Sequence, residues 1–238
     1  MGSTTADCLK QIFIGLDTSG PETGLAIVAT ERVLYEIRSV SGTNHNEALL
    51  LLLDQLLNKA GLKIEAISGI GFTIGPGMWT ALRVGLSVVK GLALPRNIPV
   101  KGVNTLQALS VSVCQTGEPV LAVMDARRGE VYAAVYRQDR VLIEPGALTP
   151  EKLVRQVVNY KLATGFRAVG DGVELVKPAL TAAGIQVVDT EIRRVSPVVV
   201  ARLAIELLSR DGPDPLAEIE PIYLRRTDAE INREKRLS

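Results

Sequence analysis

A single histidine and two cysteines in 238 residues remove several chemistries at the outset. One imidazole, His45, cannot supply the paired ligands of an H-E-x-x-H zinc protease, and no such motif is present. Cys8 and Cys114 are too few for a disulfide framework and form no C-x-x-C pair, which fits a reducing compartment. No uninterrupted apolar run reaches the roughly 18 residues that suggest a membrane span. The first residues lack the apolar core of a secretion signal, and Ala6 stands where a myristoylation pattern needs Ser or Thr. A cytoplasmic protein with no membrane contact is expected. Charge is nearly balanced, at +1 with a pI near 7.7, so the broad cationic field of a free-standing nucleic-acid binder is missing and any RNA partner requires another subunit. Aromatics are only 4% of the chain, leaving the core to Leu, Val, Ile and Ala.

What the chain does have is a repeated pattern. Residues 13–30, FIGLDTSGPETGLAIVAT, read as a hairpin whose turn contains Ser19, Gly20, Pro21 and Gly24. Residues 119–136, PVLAVMDARRGEVYAAVY, return to it: apolar strand, aspartate, short turn, apolar strand, with Asp17 and Asp125 in the same place. Two related α/β halves follow, with expected limits of 9–107 and 108–238. In the first half HNEALLLLLDQLLNKAG reads as a helix capped by Gly61. A strand at 66–74, a glycine turn, a helix ended by Pro95, a short strand (IPVKGVN) and a helix holding Cys114 (TLQALSVSVCQ) complete it. The second half continues with a helix (PEKLVRQVVNY), a strand and tight turn (AVGDGVE), a strand (IQVVDT) and a helix (PVVVARLAIELLSR). Its end is proline-punctuated and then charged: Arg225, Arg226, Arg233, Lys235 and Arg236 interleave with Asp228, Glu230 and Glu234. This reads as an extended, partly mobile, solvated segment rather than an RNA-contacting arm.

The glycine turn, GPGMWTALRVG at 75–85, raises the question of a phosphate. A P-loop needs Gly-Lys-Ser/Thr, because a lysine must reach the outer phosphates, and the turn has none. A dinucleotide fingerprint needs a third small residue where Thr80 stands and a later acid on the ribose, absent around 95–101. The alternative is a tight strand-to-helix connection.

The helix after this turn carries apolar residues over roughly 220° at about 100° per residue, more than one buried face requires. Arg83 and Lys90 occupy its narrow polar side with Thr80, Ser87 and Gly91. In the leucine-rich helix, Leu49, Leu50, Leu52, Leu53, Leu56 and Leu57 make one stripe, while Leu51 projects among Asp54, Gln55 and Asn58. The two helices are either sandwiched within one chain or form an association surface.

LDTS (16–19), GPGMWTALRVGLSVVKGLA (75–93), MDARRGEVY (124–132), VGDG (169–172) and PIYLR (221–225) stand in the order and spacing of the bacterial TsaB (YeaZ) family, and the resemblance spans nearly the whole chain. It departs at Met78-Trp79, where the family usually has Ser-Phe, and at Ala81, often Gly. The resemblance implies a duplicated actin-like fold of the sugar-kinase and chaperone-ATPase type, with mixed sheets. It also implies a non-catalytic scaffold in forming threonylcarbamoyladenosine beside the anticodon of tRNA. In that role the protein pairs with a TsaD-like transferase paralogue, helps recruit a TsaE-like ATPase, forms a homodimer when alone, and meets tRNA only through the complex. The partner-binding residues expected are His45, Leu51, Met78, Trp79, Leu82, Arg83, Leu86 and Lys90.

The residues agree with an absence of catalysis. TsaD-like transferases hold a metal with two histidines on one helix, and His45 stands alone. Active actin-like kinases cradle phosphates with a glycine two positions after each strand-ending aspartate, where backbone must approach closely. Here those positions hold Ser19 and Arg127, so Asp17, Asp125, Gly170 and Gly172 are expected to form at most a vestigial nucleotide site, with no cofactor. Arg127 and Arg128 read as a solvated rim or a contact for an acidic partner. The rival reading is an actin-like ATP-dependent kinase or ATPase using Asp17, Asp125 and the Gly170-Asp171-Gly172 turn around a nucleotide.

Overall fold

The computed structural model describes residues 11–30, 32–40, 45–113, 117–160 and 166–225; for Val40 and residues 45–48 it describes the backbone only. Cys8, Cys114, Arg226 and the charged end beyond it, and the His45 side chain therefore lie outside the described residues.

Two five-stranded mixed sheets carry the repeat. The first is ordered β3-β2-β1-β4-β5, built from β1 (Ile12–Asp17), β2 (Glu22–Ala29), β3 (Arg32–Val40), β4 (Gly69–Gly75) and β5 (Val100–Asn104). β1 pairs antiparallel with β2 and parallel with β4. The second is ordered β10-β9-β6-β7-β8, from β6 (Val120–Arg127), β7 (Glu130–Arg137), β8 (Arg140–Leu148), β9 (Phe166–Val169) and β10 (Val187–Asp189). There β6 pairs antiparallel with β7 and parallel with β9. In chain order each half runs three strands, helix, strand, helix, strand, helix. The helices are α1 (His45–Ala60), α2 (Trp79–Ala93) and α3 (Thr105–Val111) in the first half, and α4 (Pro150–Asn159), α5 (Val173–Ala182) and α6 (Pro197–Asp211) in the second. The third strands, β3 and β8, and helix α5 were not apparent in the apolar pattern; Pro145-Gly146 within β8 and Pro178 within α5 interrupt the periodicity that would mark them.

Strand alternation sends alternate residues to opposite faces. Ile14, Leu16, Leu25 and Ile27 pack with α1 and α2, whereas Ala26 and Val28 pack with Val198 and Ala201 of α6. Gly15 and Gly71 make that close approach possible: a Cβ at Gly15 would meet the Pro197 carbonyl, and one at Gly71 the Ala204 methyl. On the second sheet Leu121 and Val123 face the α4 and α5 side, while Val120, Ala122 and Met124 join α3 and α6 in a central cluster. Each half therefore lends its last helix to the other's surroundings: α6 lies on the first sheet and α3 against β6 and β7. The segment after α6 stays with the first half, where Asp214 N–H donates to the Val100 carbonyl at 3.0 Å and Lys101 Nζ reaches Asp214 at 2.7 Å. A sequence division at 107/108 thus separates α6 and residues 212–225 from the sheet they cover.

Candidate functional site

The glycine turn holds protein. Gly75 closes β4 with φ +114°, and a Cβ there would stand 2.6 Å from the Ile222 carbonyl oxygen. A Cβ on Gly77 would lie 2.5 Å from the Ser19 carbonyl oxygen, and one on Gly85 would strike the Thr18 hydroxyl. Hydrogen bonds fix both neighbours: Met78 N–H donates to Ser19 O at 2.8 Å, and Ile222 N–H to Ile74 O at 2.6 Å. The missing side chains make room for the β1–β2 turn and for the chain's own late segment.

The β1–β2 turn spends its polar groups internally. One oxygen of Asp17 accepts from Ser19 N–H (3.0 Å), the Ser19 hydroxyl (2.7 Å) and the Thr73 hydroxyl (2.9 Å), and Thr18 N–H donates to Thr73 Oγ1 at 3.3 Å. Burial pushes the Asp17 carboxyl above the usual carboxylate range, against the pull of the Ser19 and Thr73 hydrogen bonds and the Arg38 charge. The amides of Thr18 and Ser19 are thus already bonded.

The β6–β7 turn has another character. Arg127, Arg128 and Gly129 all adopt left-handed backbone, with φ +66°, +57° and +76°. Arg127, two positions after Asp125, so occupies a conformation that favours glycine. Asp125 stabilises it, accepting from Arg127 N–H at 2.7 Å and pairing with its guanidinium at 3.1 Å. Asp125 N–H donates to Asp171 (3.0 Å), whose other oxygen accepts from Arg194 (2.7 Å). Gly170 and Gly172 serve packing: their N–H groups donate to Ile192 O (2.7 Å) and Val123 O (3.2 Å), and Cβ atoms there would collide with β6.

Between the two turns lies a cleft of about 630 Å³, walled by Ser19, Gly77, Met78, Trp79, Met124, Asp125, Arg127, Tyr132, Asp171, Ile222, Tyr223 and Arg225. Trp79 stacks on Tyr223 with ring centroids 3.8 Å apart, and the Arg83 guanidinium lies 4.7 Å from the indole centre. Of the four residues expected to mark a vestigial nucleotide site, Asp125 lines this cleft; Asp17, Gly170 and Gly172 do not. Tyr223 and Arg194 were not singled out from the sequence, and Arg225 was read there only as part of a solvated charged end, whereas it is bonded to Ala126 and lines the cleft. Their importance comes from contacts across more than twenty residues of chain, which local pattern does not carry. Among the described residues no cluster of three or more His, Cys, Asp or Glu could hold a metal ion, and no helix is long and apolar enough to cross a membrane.

The expected association residues separate into three environments. Leu51 is 63% exposed and its neighbour Leu50, placed in the buried stripe by spacing, is 52% exposed. Met78, Trp79 and Arg83 are exposed and gather at the cleft mouth. Leu82 is a correction: at 1% exposure it faces the sheet beside Gly75 and cannot meet a partner. Leu86 and Lys90 are half-buried, and Leu86 packs on the first sheet's core. The wide apolar arc of α2 resolves accordingly into five buried residues against the sheet (Ala81, Leu82, Gly85, Val89, Ala93) and four partly covered ones (Val84, Leu86, Val88, Leu92).

Residues 38–232 match the sequence model of the family described as TsaD, tRNA N6-adenosine threonylcarbamoyltransferase. The tRNA threonylcarbamoyladenosine biosynthesis protein TsaB of Haemophilus influenzae is 26% identical over 231 residues, covering 90% of this chain and 93% of that protein. The solved structure of YeaZ from Pseudomonas aeruginosa is 25% identical with a TM-score of 0.75, over 90% of this chain and all of that one (100%). Component A of (R)-2-hydroxyglutaryl-CoA dehydratase from Acidaminococcus fermentans aligns with a TM-score of 0.53 at 9% identity, over 84% of this chain and 99% of that one, a likeness of fold alone. The duplicated actin-like architecture expected from the sequence is the one present.

Proposed function

The chain belongs to the bacterial TsaB (YeaZ) family, within reach of the TsaD threonylcarbamoyltransferase model, and from that membership we propose that it serves tRNA threonylcarbamoyladenosine formation as a non-catalytic subunit. It pairs with a TsaD-like transferase through the outer faces of α1 and α2, helps recruit a TsaE-like ATPase, and meets tRNA through that assembly. Without the transferase, the same face joins two copies of the chain.

One observation carries this reading: the glycine turn, the sequence feature most like a phosphate cradle, is filled by the backbone of Ser19 and Ile222. A phosphate cradle depends on free amides at close approach, and the Thr18, Ser19 and Met78 amides are bonded within the chain. Meanwhile Leu50 and Leu51 present adjacent large apolar side chains to solvent on α1. Size-exclusion chromatography with light scattering on the protein, its transferase and their mixture tests the pairing. A new species at the summed mass is expected, and two unchanged peaks at micromolar concentration contradict it.

The cleft itself favours a second reading, since a cavity of about 630 Å³ beside Asp125 has room for a nucleotide. Calorimetry with ATP and Mg²⁺ on the isolated chain separates the two. Micromolar binding with turnover would make the chain an enzyme; no heat of binding is expected.

A further inference from the structure

One short segment touches both halves across the cleft. Ile219 is buried in the first sheet's core, and Ile222 N–H is bonded to Ile74 at the end of β4. Tyr223 then stacks on Trp79 of α2. Two residues later Arg225 has crossed to the second half, where its guanidinium donates to the Ala126 carbonyl at 3.1 Å and stands 3.6 Å from Glu130, on the two strands of the β6–β7 hairpin. All three of Ile222, Tyr223 and Arg225 line the cleft.

We propose that residues 221–225 are a strap that ties the β6–β7 hairpin to α2 and so sets how far the cleft opens. From Tyr223 to Arg225 the extended backbone reaches no more than about 7 Å. With the tyrosine on Trp79 and the arginine on Ala126, the walls cannot part without breaking one attachment. The attachments differ in kind. The stack is apolar and insensitive to salt, whereas the Arg225–Glu130 contact is partly solvated, with side chains 22% and 32% exposed, and weakens as ions screen it. Release therefore begins at Arg225. The buried cluster shared by the halves, with Leu106 and Leu109 of α3 against Val120 and Ala122 of β6, keeps them associated when the strap lets go. None of this depends on the identity of any partner.

The test uses the full chain with Cys8 and Cys114 replaced by Ser and spin labels on cysteines introduced at the exposed positions Arg32 (β3) and Lys152 (α4), diluted with unlabelled chain so that only distances within one copy are read. The parent is expected to give one narrow distance distribution. Tyr223→Ala and Arg225→Ala should each broaden it and lengthen its mean, and the double variant should add nothing, because either break frees the same strap. Trp79, the only tryptophan, reports in parallel: its acrylamide quenching constant should rise about twofold in Tyr223→Ala, which uncovers one face of the indole. A parent-like distribution in folded Arg225→Ala overturns the strap, as does additive broadening in the double variant. Arg225→Ala decides alone if Tyr223→Ala does not fold.

Discussion

The two halves share strand order, pairing sense and the order of their helices, yet the aspartates that the repeat aligns, Asp17 of β1 and Asp125 of β6, stand on opposite faces. In β1, Leu16 faces that half's own helices α1 and α2, so Asp17 shares the parity of Gly15, which lies against α6. In β6, Val123 faces α4 and α5, so Asp125 takes the parity of the outer side. The glycine turns record the same offset: Gly77 abuts Ser19, beyond Asp17, whereas Gly172 abuts Val123 and Met124, before Asp125. A one-residue slip exchanges the faces of a strand. It leaves Asp17 buried under the glycine turn and Asp125 on the cleft wall, stabilising an arginine turn whose Arg127 side chain is 79% exposed. Duplication has kept the scaffold, while the first half became a packed platform carrying exposed leucines and the second kept its turn open to the cleft.

Glycines offer the largest lever on that contrast: Gly15 in the first half gives up its side chain for close approach, Gly129 in the second for backbone conformation. Gly15→Val should destabilise by about 3 kcal/mol or more, since the new atoms meet the Pro197 carbonyl and the Ala201 amide of α6. A urea midpoint within error of the parent would refute the close docking of α6. At Gly129 nothing lies within 4 Å of a Cβ, but φ is +76°. Gly129→Ala should lose roughly 1–2 kcal/mol to the left-handed backbone, and Gly129→Asn clearly less. Equal losses for the two substitutions would point to crowding instead.

How much of this was legible in the sequence follows from what each feature depends on. The repeat, the glycine turn and the end of α2 at Pro95 rest on local pattern and were readable. The parity of Asp17 and Asp125 was not, because spacing aligns two strands without saying which neighbour covers which face. Leu50 and Leu82 were misplaced for the same reason: an apolar stripe gives the width of a buried face but not its limits once a second helix covers part of it. The stack of Tyr223 on Trp79 joins positions 144 residues apart, a separation across which no periodicity extends.

The acids extend the comparison with smaller effects of opposite sign. The raised Asp17 value means the folded chain holds this proton more tightly than the unfolded one. Its contribution is favourable below the ordinary value of 3.8 and is lost as pH rises through the raised value. Asp17→Asn keeps an acceptor for Ser19 and Thr73 and should flatten that part of the stability profile, measured as urea midpoints from about pH 4 to 8. An unchanged slope would mean Asp17 titrates as a free carboxylate. In the second half Asp189 is held down to about 2, first by the Arg193 guanidinium and then by the Glu191 amide. Its contribution is present above 3.8 and is lost as pH falls through about 2. Arg193→Ala should move the Asp189 carboxyl titration, followed by NMR, upward toward the ordinary value; no movement would remove the assigned cause.

The central claim is that the first half associates through its α1 and α2 face, and Leu51 tests it most directly because it is exposed and makes no part of the cleft. The measurement is calorimetric affinity for the transferase, parent against Leu51→Asp, with thermal unfolding of each chain alone. The account predicts unchanged unfolding and a loss of about 30-fold or more in affinity, the equivalent of about 2 kcal/mol for an apolar group at an interface centre. Parent-like affinity in a folded Leu51→Asp would contradict it.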